Sequence, residues 1–318
     1  MWQVVNTEET QTISSPIDKV REYIGNARSK NTKRAYRSDW QHFVKWCNAH
    51  GYASLPAMPE TICLYLTDLA ADKKVSTIQR RMAAIGQAHL AAGHPAPGNN
   101  IAIKSLLRGI RREKGVMQTG KSPLLTEHVR RMVSALPATR AGIRDRALLL
   151  IGFSGAFRRS ELIGLNVEDI SFEKEGLVVL VRKSKTDQDG QGTKKGIPAG
   201  NFVDTCPVLA LQQWLMVSEI KSGAIFRGID RHGNVSDKRL TGKAVSLIIK
   251  RIAKKVGLDP DKFAGHSLRA GLATQASMSG ASELEIMNQT GHRSLVTLRR
   301  YIRDGNLFRK NAAGQVGL

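Results

Sequence analysis

Four residues near the end of this 318-residue sequence are spaced so that they can address one ligand: His266, Arg269, His292 and Tyr301. His266 and Arg269 stand three apart and share one face of a helix, so both can address a single ligand. His292 and Tyr301 stand nine apart, which places them on opposite sides of one straight helix. A helix that begins after an N-cap at Ser294 resolves this. His292 then lies in the preceding turn, Tyr301 projects from the second turn, and both can face a common centre. An arginine offers a planar fork of donors suited to non-bridging phosphate oxygens, and His292 can add a further donor. Tyr301 supplies a hydroxyl nucleophile with a reference pKa of about 10, so attack near neutrality needs a proton acceptor, for which His266 is the candidate. Any one of these residues alone is more often packed or solvated than reactive; the set carries the signal.

A further arginine motif lies upstream, Gly155-Ala156-Phe157-Arg158-Arg159-Ser160-Glu161-Leu162. Together the residues resemble the tyrosine recombinase (phage integrase) family, whose signature runs Arg, Lys, His-x-x-Arg, His or Trp, Tyr. Nearly the whole chain takes part, with the order complete. Aligned on Ser-Glu-Leu, the resemblance makes Arg158 the first catalytic arginine and leaves Arg159 to solvent or the DNA backbone. Glu161, three residues from Arg158, is expected to orient it. The family places a lysine on a β-hairpin beside the cleaved strand, and the Ser-Lys-Thr setting matches Lys185, with Lys183, Lys194 and Lys195 left as alternatives. Such a lysine, its pKa depressed by nearby arginines, would protonate the leaving 5′ oxygen.

The resemblance implies a site-specific recombinase that cleaves and rejoins DNA through a covalent 3′-phosphotyrosine. Strands would be exchanged via a Holliday junction between two inverted-repeat sites held by a homotetramer. A type IB topoisomerase shares the nucleophile and arginine logic, and a non-catalytic DNA-binding protein would explain the charge; both stay open as alternatives. No cofactor and no metal is expected, since the sequence has neither a Gly-x-x-x-x-Gly-Lys-Ser/Thr loop nor a His-Glu-x-x-His or paired-Asp motif.

Composition agrees with a polyanion partner: 49 Lys+Arg against 27 Asp+Glu give a formal charge of +22. The basic residues sit on expected helices rather than in a tail, and Lys33, Arg34, Arg37, Arg80, Arg81, Arg108, Arg111 and Arg112 are the candidate DNA contacts. The sequence shows neither a spanning apolar run nor a signal peptide. Cys47, Cys63 and Cys206 are odd in number and lack metal-ligand spacing, so they read as thiols of a reducing compartment. A cytoplasmic, nucleoid-associated protein is expected.

The elements that must position the site divide as follows. Residues 1–14 read as a flexible N-terminus. Residues 15–114 read as an all-helical core-binding domain, its helices starting at Ser15-Pro16, after Asn31-Thr32, at Pro59, at Ser76 as a cap, and at about Ile101. Their inner stripes are Ile17/Val20/Ile24, Tyr36/Trp40/Phe43/Val44/Cys47, Ile62/Leu66/Leu69 and Ile78/Met82/Ile85. Residues 115–123, with Gly115, Gly120, Ser122 and Pro123, form a linker. Residues 124–303 form a mainly α catalytic domain with a small antiparallel sheet. In it a buried helix through residues 147–151 delivers Arg158, residues 177–181 and 196–198 pair as strands, and helices span Val208 to Ile220 and Thr241 to Val256, with Trp214, Val245, Leu247, Ile248 and Ile252 as core. Two basic domains on a short linker suggest a clamp around duplex DNA. Residues 304–318 form a tail whose Leu307, Phe308 and Ala312 are expected to dock in trans on a neighbouring protomer.

Overall fold

The computed structural model describes residues 29–116, 120–182, 184 and 192–305. The first expected helix, Lys183, Lys185 and residues 306–318 therefore lie outside the described residues. The chain divides into two compact units, Met1–Thr119 and Gly120–Leu318.

The first unit is helical throughout its described part: α1 (Lys30–His50), α2 (Pro59–Asp72), α3 (Val75–Ala91) and α4 (Ile101–Lys114). The α1 helix starts earlier than Asn31-Thr32, because the Ser29 hydroxyl accepts from the Thr32 amide and supplies the cap. Gly51 stops it in the left-handed region, as a C-terminal glycine can at no steric cost. Ser76 is not a cap; α3 begins one residue before it, after Lys74, with no side-chain cap. The stripes meet in one core of Phe43, Cys47, Ile62, Tyr65, Leu66, Ile78, Ile85 and Ile103. The helices thus close on apolar faces and leave Lys33, Arg34, Arg37, Arg108, Arg111 and Arg112 exposed.

The second unit runs α5 (Thr126–Ser134), α6 (Arg140–Ser154), α7 (Arg159–Gly164), β1 (Ile170–Glu173), β2 (Gly176–Val181), β3 (Thr193–Pro198), α8 (Pro207–Ser218), β4 (Arg227–Ile229), β5 (Val235–Arg239), α9 (Gly242–Lys255), α10 (His266–Met278), α11 (Glu283–Thr290) and α12 (Leu295–Gly305). The order β1-β2-β3 is antiparallel, with Leu177 opposite Ile197 and Leu180 opposite Lys194. Buried Leu148, Leu149, Ile151, Phe157, Trp214, Phe226 and Ile249 form the core. Leu247 does not join it: 56% of its surface is exposed, because its position on α9 turns away from the Val245/Ile249/Ile252 stripe. The α10 helix packs so closely on the segment before α5 that a Cβ at Gly271 would come within 1.9 Å of the Leu124 carbonyl oxygen. Among the described residues no helix is long and apolar enough to cross a membrane, and the three cysteines are free thiols, Cys47 and Cys206 buried.

Candidate active site

Four chain segments converge on one centre, three of them presenting their side chains at a helix end and Tyr301 from within its helix. Arg158 is the N-cap residue of α7, His266 and Arg269 lie in the first turn of α10, His292 follows α11, and Tyr301 sits on α12. Helix ends put side chains where backbone N–H and C=O groups are also free, so local geometry is held by capping bonds. Glu161 does this for Arg158: one carboxylate oxygen accepts from the Arg158 amide at 2.9 Å, the other from its guanidinium at 2.5 Å. Glu161 is buried, so the ion pair holds the fork in one orientation. Arg158 also donates to the Gly291 carbonyl at 3.3 Å, tying it to the His292 loop.

Arg269 is 1% exposed, and its Nη1 donates to the Ala156 carbonyl at 2.9 Å. Ala156 holds φ +47°, a left-handed conformation costing about 1 kcal/mol or more without glycine's freedom. Arg269 thereby braces the turn that aims Arg158. Its Nη2 is buried without a hydrogen-bond partner, a donor fit for an incoming oxyanion. Burial, then the charge of Arg158, bring the Arg269 pKa down to about 10, which leaves it cationic at neutral pH.

Tyr301 and His266 meet at 2.7 Å between the hydroxyl and Nε2. Partial desolvation of the His266 ring, then Arg269 and Arg158, hold its pKa below 6.5. It is therefore neutral near pH 7 and able to accept the phenolic proton. The Tyr301 helix starts at Leu295, just past Ser294, and docks through Leu298 on Ala273 and Ile286, a small cluster that also takes in Met287 and Ile302. The left-handed Gly291 (φ +65°) ends α11 and turns the chain so that the His292 ring stands 5.9 Å from that of Tyr301. Burial, then Arg269, Arg158, His266 and Lys195, push the His292 pKa down to about 4, so it too is neutral near pH 7.

Lys195 does not project from a hairpin tip. It is 6% exposed on β3, and its ammonium donates to the carbonyls of Gly155 at 3.0 Å and Gln289 at 2.7 Å. It thus clasps the C-terminal ends of α6 and α11, where carbonyls and dipole favour a cation. Burial is nonetheless the larger influence and lowers its pKa to about 8, with Arg269 and Arg158 adding to the fall against the pull of Glu161. Gln289 returns the contact, donating to the Ser154 carbonyl at 2.7 Å. Lys194 is exposed on the same strand.

Sequence reasoning did not single out Gln289, and no periodicity or motif marks it; its role arises where α11 meets α6 and β3. Of the basic residues expected to meet DNA, Arg81 faces inward, whereas Arg80 keeps half of its side chain in solvent. Arg80 pairs with the buried Asp39 at 2.7 Å, and Arg81, with only 11% of its side chain exposed, lies against Asp39, His42 and the Tyr65 hydroxyl. Arg159 packs toward α9 and donates to Ser246 at 3.2 Å. Among the described residues no cluster of three His, Cys, Asp or Glu side chains could hold a metal ion.

The chain is similar to known proteins. The phage integrase family model matches residues 123–306, and the phage integrase N-terminal SAM-like domain matches residues 21–90. The integrase/recombinase xerD homolog of Selenomonas ruminantium is 41% identical over 302 residues, covering 94% of this chain and 89% of that protein. The recombinase cre of Escherichia phage P1 is 25% identical, with 87% and 85% covered. Among solved structures, the fold is similar to that of the XerH site-specific recombinase bound to palindromic difH substrate in a post-cleavage complex, with TM-score 0.60, 18% identity, and 81% and 72% of the two chains covered. It is also similar to a lambda integrase dimer bound to a COC′ core site, with TM-score 0.58, 17% identity, and 91% and 94% covered.

Proposed function

We propose a reaction for a chain that belongs to the phage integrase family and is a site-specific DNA recombinase of the tyrosine type. Tyr301 attacks the scissile phosphate as its proton passes to His266 Nε2. The P–O bond to the 5′ oxygen breaks, that oxygen takes a proton from Lys185, and a 3′-phosphotyrosine remains. Arg158, oriented by Glu161, and Arg269 neutralise the charge that builds on the non-bridging oxygens, with His292 as a third contact. The ester keeps the energy of the broken phosphodiester, so the 5′ hydroxyl of another strand reseals it and returns Tyr301 without a nucleotide cofactor. Two such exchanges, through a Holliday junction, recombine two inverted-repeat sites held by a homotetramer. Lys33, Arg34, Arg37, Arg108, Arg111 and Arg112 supply phosphate contacts from the first unit. The tail, residues 304–318, docks on the next protomer through Leu307, Phe308 and Ala312. A cytoplasmic, nucleoid-associated location suits that substrate.

The observation that carries this reading is the 2.7 Å contact of Tyr301 with His266 beside two buried or half-buried arginine forks. The test begins by selecting, from random duplexes, an inverted repeat that the protein retains. A nicked suicide version of that site should trap a covalent adduct, mapped to Tyr301 by mass spectrometry. Tyr301→Phe should abolish the adduct and leave binding near normal. An adduct on Tyr36 or Tyr65 would refute the assignment.

A further inference from the structure

Thr290 is the last residue of α11 and 0% exposed, so no water competes for its hydroxyl. Two groups crowd that oxygen. It lies 2.6 Å from the Ile286 carbonyl oxygen, one turn back, and 2.7 Å from His292 Nδ1. A hydroxyl has one hydrogen, and a carbonyl oxygen has none to offer. Two oxygens at 2.6 Å repel unless a proton lies between them, so the hydroxyl hydrogen must point to Ile286, the back-bond that threonine makes within a helix. The Thr290 oxygen then has only lone pairs left for His292. An imidazole nitrogen can approach them at 2.7 Å only as N–H donor. In a neutral ring the other nitrogen is then bare.

We propose that Thr290 is a positioning residue that fixes neutral His292 as its Nδ1–H tautomer, with the Nε2 lone pair as the ring's free proton acceptor at the phosphate site. This rests on the recombinase reading above and refines it. His292 can donate to a phosphate oxygen only after taking a proton onto Nε2; until then it accepts. The cations that keep the ring neutral in the free protein, Arg269, Arg158 and Lys195, are the ones an arriving phosphate would offset. Gly291 in the left-handed region is what lets the chain reverse within one residue and bring the His292 ring back over the Thr290 oxygen.

The test reads the tautomer directly. Long-range ¹H–¹⁵N spectra of the full free chain, with the His292 signals identified by their loss in His292→Gln, should show protonated Nδ1 and bare Nε2 near neutral pH. Thr290→Val keeps the shape and removes the oxygen; it should shift His292 toward the Nε2–H form. With the suicide substrate it should cleave about ten- to a hundred-fold more slowly than wild type. Thr290→Ser should restore both the tautomer and the rate. The inference is overturned if wild-type His292 carries its proton on Nε2, or if Thr290→Val leaves tautomer and cleavage unchanged while remaining folded. Because the spectra need no substrate, they decide the tautomer even if the wild-type protein forms no adduct; that failure would instead sink the recombinase chemistry.

Discussion

Each unit of this protein buries a cluster of arginines, and the two clusters are balanced differently. In the first unit Asp39, 4% exposed, takes Arg80 on one side and Arg81 on the other, but half of the Arg80 side chain remains in solvent. The buried balance is close to one cation per carboxylate, completed by Tyr65 and His42. In the second unit Arg158, Arg269 and Lys195 share a single buried carboxylate, Glu161. The surplus adds to burial in the neighbours: burial first, with the arginines adding to it, brings Lys195 to about 8 against the pull of Glu161 and His292 to about 4. A self-neutralised cluster holds a fold together, whereas an under-neutralised one is completed by an anion. The same residue type is thus a strut in one unit and, on the proposed function, a phosphate contact in the other.

The largest effect should come from emptying the surplus. On the proposed function, Arg269→Ala removes a buried, unpaired donor and should slow suicide-substrate cleavage by at least about a hundred- to a thousand-fold, with DNA affinity changed little. Arg158→Ala should behave likewise. Single-turnover rates near wild type in either variant would reduce that arginine to a backbone contact.

The balanced cluster should respond in stability instead. Asp39→Asn leaves Arg81 buried beside no anion and should cost about 3 kcal/mol in urea unfolding of the first unit. If Asp39→Asn unfolds like wild type, Asp39 does not neutralise the cluster, and the contrast between the units fails.

Lys195 offers a pH test of comparable size. Its folded pKa of about 8 lies below its ordinary 10.5, so between those values the unfolded chain binds more protons. Stability should therefore rise with pH across that window, by up to about 3 kcal/mol from this one group. The burial penalty is present in full below pH 8 and gone above 10.5. Lys195→Met should lack this rise, read as the difference between the two proteins' unfolding curves at each pH. Parallel curves would mean that the surplus charge is not felt at Lys195.

The smallest effect belongs to an exposed pair outside both clusters. Arg299 on α12 meets Glu283 at the start of α11 at 3.0 Å, clipping the Tyr301 helix to its neighbour. Glu283→Gln should lower cleavage slightly at low salt and not at all at high salt. A loss on the scale of Arg269→Ala would place this pair among the determinants of Tyr301 position.

The balance of charge in either cluster could not be read from the chain. Arg80 and Arg81 look alike as cations on a helix, and the carboxylate that claims both lies 41 residues away from Arg80, on α1. Lys194 and Lys195 are neighbours on β3, and only strand register makes Lys195 the buried one of the two. The short strands β1, β4 and β5 were not evident in the sequence either, since three to five residues are too few to show a period.

What the sequence determined by itself was local: helices whose apolar stripes repeat at 3.6 residues, the break before Leu295, and the motifs that put His266, Arg269 and His292 at helix ends and Tyr301 in the second turn of the next helix. These follow from spacing along one segment, where period and capping act over a few residues. Tertiary structure alone decided which donors stayed unpaired and which cations were neutralised. Those properties depend on atoms brought within about 3 Å from distant segments, and hydrogen bonds and desolvation act only at that range.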